Sequence, residues 1–280
     1  MLFDLESGSD LATDVPFVRN YLNDVLLLLK QKAIPVVSIV LFGSAAKNDA
    51  LQGTSDVDLI IVLQDEAEVV TKTEAKSIVQ QVERKYGLSA SRDLSILDTF
   101  IDHAGGNAHS CFICTKEDFL SGNGVKVFGL NPFEALFLNR IVLATIIGSA
   151  RTVWGANLIS KLLLPPPRYL DVIKAFFSFF SVSLLITVTY PIIRAPTSQA
   201  MGVLKRALHS CYFYVHQKTL SLQEEVGFFS QGSGKRSALH DLLDLRRSYK
   251  ESFSFVIRII PLLIKLHWKT LMNKQFQLRS

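Results

Sequence analysis

Residues 56–63 read Asp-Val-Asp-Leu-Ile-Ile-Val-Leu, an apolar, β-branched run headed by two aspartates. A segment this short and apolar, entered through Gly53-Thr54-Ser55, reads as a buried strand. Residues two apart on a strand face the same side, so Asp56 and Asp58 are expected to project together, about 6–7 Å apart along the backbone. Two carboxylates so placed disfavour each other's ionisation unless a cation lies between them. A hard divalent ion accepts such ligands, and Mg²⁺ fills its other positions with water and substrate phosphate. The pair therefore asks for a sheet to carry it and a phosphate-bearing ligand to complete it.

The upstream segment supplies the phosphate side. Residues 35–42, Pro-Val-Val-Ser-Ile-Val-Leu-Phe, form a second β-branched run that ends at Gly43-Ser44. Glycine permits a tight turn there, leaving Ser44 and neighbouring backbone N–H groups to hold phosphate oxygens. Around these strands the pattern alternates. A helix is expected over 16–33 and another over 65–86, stopped by Gly87; shorter strands are expected over 92–97 and 109–116. Asn131, Pro132 and Glu134 announce a helix over 132–147.

Pro165-Pro166-Pro167 can sustain neither helix nor central strand and marks the boundary. Beyond it helical periodicity predicts helices over about 169–190, 198–219, 221–229, 237–251 and 252–274. Ser221 and Glu224 form a capping box for the third, and Pro261 is expected to kink or divide the last. The expected architecture is a mixed α/β domain over residues 1–164 followed by an all-α domain over 168–280.

The motif Phe42-Gly43-Ser44, eleven residues, then Asp56-Val57-Asp58-Leu59 resembles the signature of the nucleotidyltransferase superfamily that includes DNA polymerase beta. It looks most like the small prokaryotic nucleotidyltransferase-domain proteins, whose Gly-Ser-x-Ala-Arg-Gly variant stands here as Gly43-Ser44-Ala45-Ala46-Lys47-Asn48. Lys47 keeps the positive charge of the usual arginine without its planar fork. Asn48 replaces a glycine and can still take a left-handed turn. The resemblance implies a third acid from a neighbouring strand. Asp93 is the favoured residue and Asp98 its rival, since five residues of separation on one strand send them to opposite faces. It further implies attack of a hydroxyl on the α-phosphate of a nucleoside triphosphate, ATP by preference, with release of pyrophosphate. Two Mg²⁺ ions held by Asp56, Asp58 and Asp93 are implied, with Gly43, Ser44 and Lys47 on the triphosphate. The alternative is a catalytically inactive nucleotide-binding regulator or antitoxin-like interaction protein.

Charge is divided along the chain: residues 1–165 hold 14 basic and 19 acidic residues, residues 166–280 hold 16 and 6. A basic stripe of Arg258, Lys265 and Lys269 suits an anionic acceptor such as RNA, or simply a solvated helix face. The acceptor hydroxyl is left open among small molecule, protein and RNA, as is a homo-oligomer. Three cysteines are too few for a disulfide framework, and the first residues lack a signal-peptide pattern, so the expected location is cytoplasmic. The uncharged stretch 175–193 approaches the length of a membrane span, but its serines and threonines fit a helix buried among helices. Cys111-Phe112-Ile113-Cys114 has metal-motif spacing, yet on a strand its two thiols face opposite ways.

Overall fold

The computed structural model describes residues 13–50, 56–88, 98, 101, 110–132, 135, 140–162, 164, 166–231 and 238–277. The strand expected over 92–97, and Asp93 with it, lies outside these residues. Contacts divide the chain into two units. One comprises Met1–Ala90, Cys111–Gly129 and Ala150–Leu163; the other comprises Ser91–Ser110, Leu130–Ser149 and Leu164–Ser280.

The first unit is built on a mixed sheet of order β3-β2-β1-β4. Its strands are β1 (Val36–Phe42), β2 (Asp58–Leu63), β3 (Cys111–Thr115) and β4 (Arg151–Gly155). β1 pairs antiparallel with β2 and β4, while β2 runs parallel to β3. Leu59 through Leu63 are all fully buried, as expected of a strand covered on both faces. Ile39, Leu41, Leu59, Ile61 and Leu63 join a core with helices α1 (Pro16–Gln31) and α3 (Val69–Lys85). Asp24 of α1 ties the end of α3, accepting from Lys85 Nζ at 2.7 Å and from the Tyr86 hydroxyl at 2.8 Å. Phe42, Phe112 and Phe128 form an aromatic group, the last two edge to face at 4.7 Å. Short helices α2 (Gly43–Ala46), α4 (Lys116–Leu120) and α5 (Gly124–Phe128) complete the unit.

The second unit is helical: α6 (Arg140–Ser149), α7 (Tyr169–Val188), α8 (Pro196–His216), α9 (Leu222–Ser230), α10 (Ala238–Arg247) and α11 (Phe253–Gln277). Phe176 meets His267 at 5.3 Å and Tyr190 meets Phe253 at 4.8 Å, which makes α7 and α11 antiparallel. α7 has the length and mean hydropathy (1.8) of a membrane span, yet Val172, Ala175, Phe179, Val182 and Ile186 are buried in the helical core. Its other face leaves Leu170, Phe177, Leu184 and Val188 exposed.

The grouping departs from a single cut at the prolines. α6 and Ile101 supply Ile141 and Ile101 to the helical core, and Asp98 accepts the Arg194 N–H at 2.8 Å. Pro261 lies inside α11 and does not divide it. Buried Phe255, Ile259, Leu263 and Leu266 anchor the helix on both sides of the lost hydrogen bond.

Candidate nucleotide-binding site

β1 ends at Phe42, directly opposite Asp58, the first residue of β2. The chain then turns into α2 through Gly43, whose φ is +70°. That turn brings backbone against carboxylate: a Cβ on Gly43 would stand 2.3 Å from Asp58 Oδ2 and 3.3 Å from its Cγ. Only a residue without a side chain leaves room for Asp58 there. Val57 is buried in the α1/α3 core with Leu59 and Ile61, so it continues the alternation of β2. Asp56 and Asp58, on either side of Val57, take the opposite parity. Asp56 is exposed and precedes the strand, whereas Asp58 is half-buried.

The turn after Gly43 is closely bonded. Ser44 is buried, and its carbonyl accepts the Lys47 and Asp49 N–H groups at 3.2 and 2.9 Å. Lys47 is half-buried at the end of α2. Asn48 adopts the left-handed conformation at φ 55°. Its Nδ2 donates to Asp14 Oδ2 at 3.1 Å, and its Oδ1 accepts from Arg151 Nη2 at 2.7 Å. The same Nη2 donates to the Ala45 carbonyl at 3.3 Å. Arg151 had no place in the sequence reading, because β4 offers only Thr152, Val153 and Trp154 as a strand signal. Beneath the sheet, burial above all holds the Tyr21 phenol protonated, with smaller contributions from Cys111, Glu83 and Asp58.

The structure thus brings Gly43, Ser44, Lys47 and Asp58 to one strand–turn junction, with Asp56 two residues before the strand. Asp98, the rival third acid, is helical, buried and assigned to the helical unit, where it accepts the Arg194 N–H. No cluster of three His, Cys, Asp or Glu side chains suited to a metal occurs among the described residues. The donors that are described nonetheless suit a hard cation: two carboxylates of one parity, one of them occupying the space a Gly43 side chain would fill. Cys111 and Cys114 do not form a thiolate site. Both are buried, and burial pushes the Cys114 thiol up to about 12 and Cys111 also upward.

Residues 22–110 match the family described as "Nucleotidyltransferase domain". Residues 22–110 thus correspond to a nucleotidyltransferase domain, and the chain continues into a mostly helical C-terminal region. Its fold is similar to that of spectinomycin adenyltransferase AAD(9) from Enterococcus faecialis, whose crystal structure contains ATP and spectinomycin. The TM-score is 0.52 at 14% identity, covering 90% of this chain and 98% of that one. No curated protein matches the sequence.

Proposed function

We propose that this protein transfers a nucleoside monophosphate, AMP by preference, from a nucleoside triphosphate to a hydroxyl acceptor and releases pyrophosphate. The observation that carries the reading is the packing of the Asp58 carboxylate on the Gly43 backbone, at the head of the Ser44–Lys47 turn. It sets an acid beside a turn whose opening N–H groups have no acceptor within the helix, an arrangement that receives phosphate oxygens. Ser44 donates to the triphosphate tail and Lys47 neutralises part of its charge. Asp56 and Asp58, with Asp93 as the third acid, hold the divalent ions. When bound, Mg²⁺ stabilises charge on the phosphates and lowers the pKa of the attacking hydroxyl. The protein's own part is positioning: it fixes donor and carboxylates in one frame before the acceptor arrives. The ATP bound by the fold neighbour favours adenylate as the group transferred.

The test is incubation with each α-labelled nucleoside triphosphate and Mg²⁺ in cell extract, wild type against the Asp56→Asn, Asp58→Asn double variant. Label should pass to an acceptor with wild type only and stop on chelation of the metal. Equal labelling by both proteins refutes the role of the pair. Binding of the triphosphate without transfer supports the inactive regulator instead.

A further inference from the structure

Arg151 lies 103 residues from Asn48 in the chain, yet it closes the turn that opens the site. It begins β4 opposite Leu41 of β1, one residue short of the end of that strand, so its side chain starts from the sheet edge beside α2. Its guanidinium spans the turn, with Nη2 on the Ala45 carbonyl and on Asn48 Oδ1. Ala45 O already accepts the Asn48 N–H at 3.3 Å, so the arginine reinforces the bond that defines the turn. Asn48 is in the left-handed region, which asparagine enters more readily than other non-glycine residues, and both ends of its amide are used to hold it there. Asp14, just before α1, binds the amide from the other side. The turn is thereby fastened to β4 through two hydrogen bonds and to the residue before α1 through a third.

Arg151 Nε is buried and has no hydrogen-bond partner among the described residues. Burial lowers the guanidinium pKa, and the field of Asp14 offsets only part of that lowering. A charge-assisted, planar donor suits this duty better than a lysine would, because the two hydrogens of Nη2 are fixed in the guanidinium plane and meet two acceptors at set angles.

We propose that Arg151 is a positioning residue for the triphosphate: through Asn48 and Ala45 it sets the conformation of the turn that carries Ser44 and Lys47. It acts on nucleotide affinity, and the acceptor's own affinity is left alone. This rests on the nucleotidyltransferase reading for its functional consequence, while the fastening of the turn stands apart from it.

The test uses the full chain with Arg151→Met, Arg151→Lys, Asn48→Gly and the Arg151→Met, Asn48→Gly pair. Amide hydrogen exchange at Lys47, Asn48 and Asp49 is read alongside binding of ATP with Mg²⁺ and, where transfer is detected, KM and kcat. Arg151→Met is expected to speed exchange at these amides and to weaken ATP binding about tenfold, since it removes both Nη2 hydrogen bonds that hold the turn. KM for ATP should rise with kcat nearly unchanged, and Arg151→Lys should recover part of the loss. The paired variant should be worse than Arg151→Met alone only by the exposed Asp14 bond that Asn48→Gly also removes, because the link between Arg151 and Asn48 is broken by either substitution. Unchanged exchange at the three amides refutes the fastening, and altered exchange with unchanged ATP affinity refutes the positioning role. If wild type binds no triphosphate, the proposed function and the positioning role fall together, while the exchange data still decide whether Arg151 holds the turn.

Discussion

Replacing Gly43 by alanine tests the junction most directly, because two separable costs meet there. The first is conformational: φ is +70°, and a non-glycine residue in that region costs about 1–2 kcal/mol. The second is steric: the new methyl would lie 2.3 Å from Asp58 Oδ2, and forcing atoms into filled space costs typically about 1–3 kcal/mol. Gly87 supplies the control. Its φ is +67°, but nothing lies within 4 Å of where its Cβ would be. Gly87→Ala therefore bears the first cost alone, and the difference between the variants isolates the approach of Asp58. The relief open to Gly43→Ala is rotation of Asp58 away from the turn, which restores stability at the expense of the proposed metal ligand. Unfolding in urea should be followed by Trp154 of the first unit in a Trp268→Phe background, since these are the chain's two tryptophans. Gly43→Ala should be about 1–3 kcal/mol less stable than Gly87→Ala, or equally stable but without Mg²⁺-dependent triphosphate binding. Equal stability together with undiminished Mg²⁺-dependent binding refutes the reasoning.

Three further outcomes are expected. His267 is buried against Phe176 and Phe179, and burial pushes its pKa down to about 4. A depressed folded-state value favours the neutral ring, so its contribution is present above the ordinary value of about 6.5 and lost as pH falls through 4, up to about 3 kcal/mol. His267→Gln should flatten the pH dependence of helical-unit unfolding between those limits. Ser221→Ala removes the hydroxyl that accepts the Glu224 N–H at 3.3 Å and should cost about 1 kcal/mol by denaturant unfolding. Gly148→Ala places a methyl 2.6 Å from Phe213 Cε2 within the helical unit and should cost about 1–3 kcal/mol, which Phe213→Leu in the same chain should partly restore.

What was legible in the sequence depended on how local the signal was. β1 and β2 announced themselves because every buried position in them but Ser38 is apolar, and the capping box at Ser221 because its partners are three residues apart. β2 begins at Asp58, since ladder pairing starts opposite Phe42. β4 escaped notice because five residues bounded by Arg151 and Gly155 carry almost no alternation. α8 starts at Pro196, two residues before expectation, because left-handed Ala195 turns the chain into it. The acid pair and the glycine could be named from spacing, but their close approach is a matter of strand register. The link between Asn48 and Arg151 has no local signal, because it joins turn and strand across most of the domain. In α11 the basic stripe was legible, but the pairing of Arg258 with Asp241 at 2.8 Å was not, since Asp241 belongs to another helix.

The interleaving of the two units governs how this protein can be dissected. A fragment ending near residue 164 keeps β4, and with it Arg151, but it must also keep α6. That helix would then present Ile141 and Val142 to water without α7 and α8, the helices it packs on. Stopping before α6 avoids this liability only by discarding the sheet's fourth strand. Each truncation thus exposes apolar surface or loses a strand, so substitutions are best made in the whole chain.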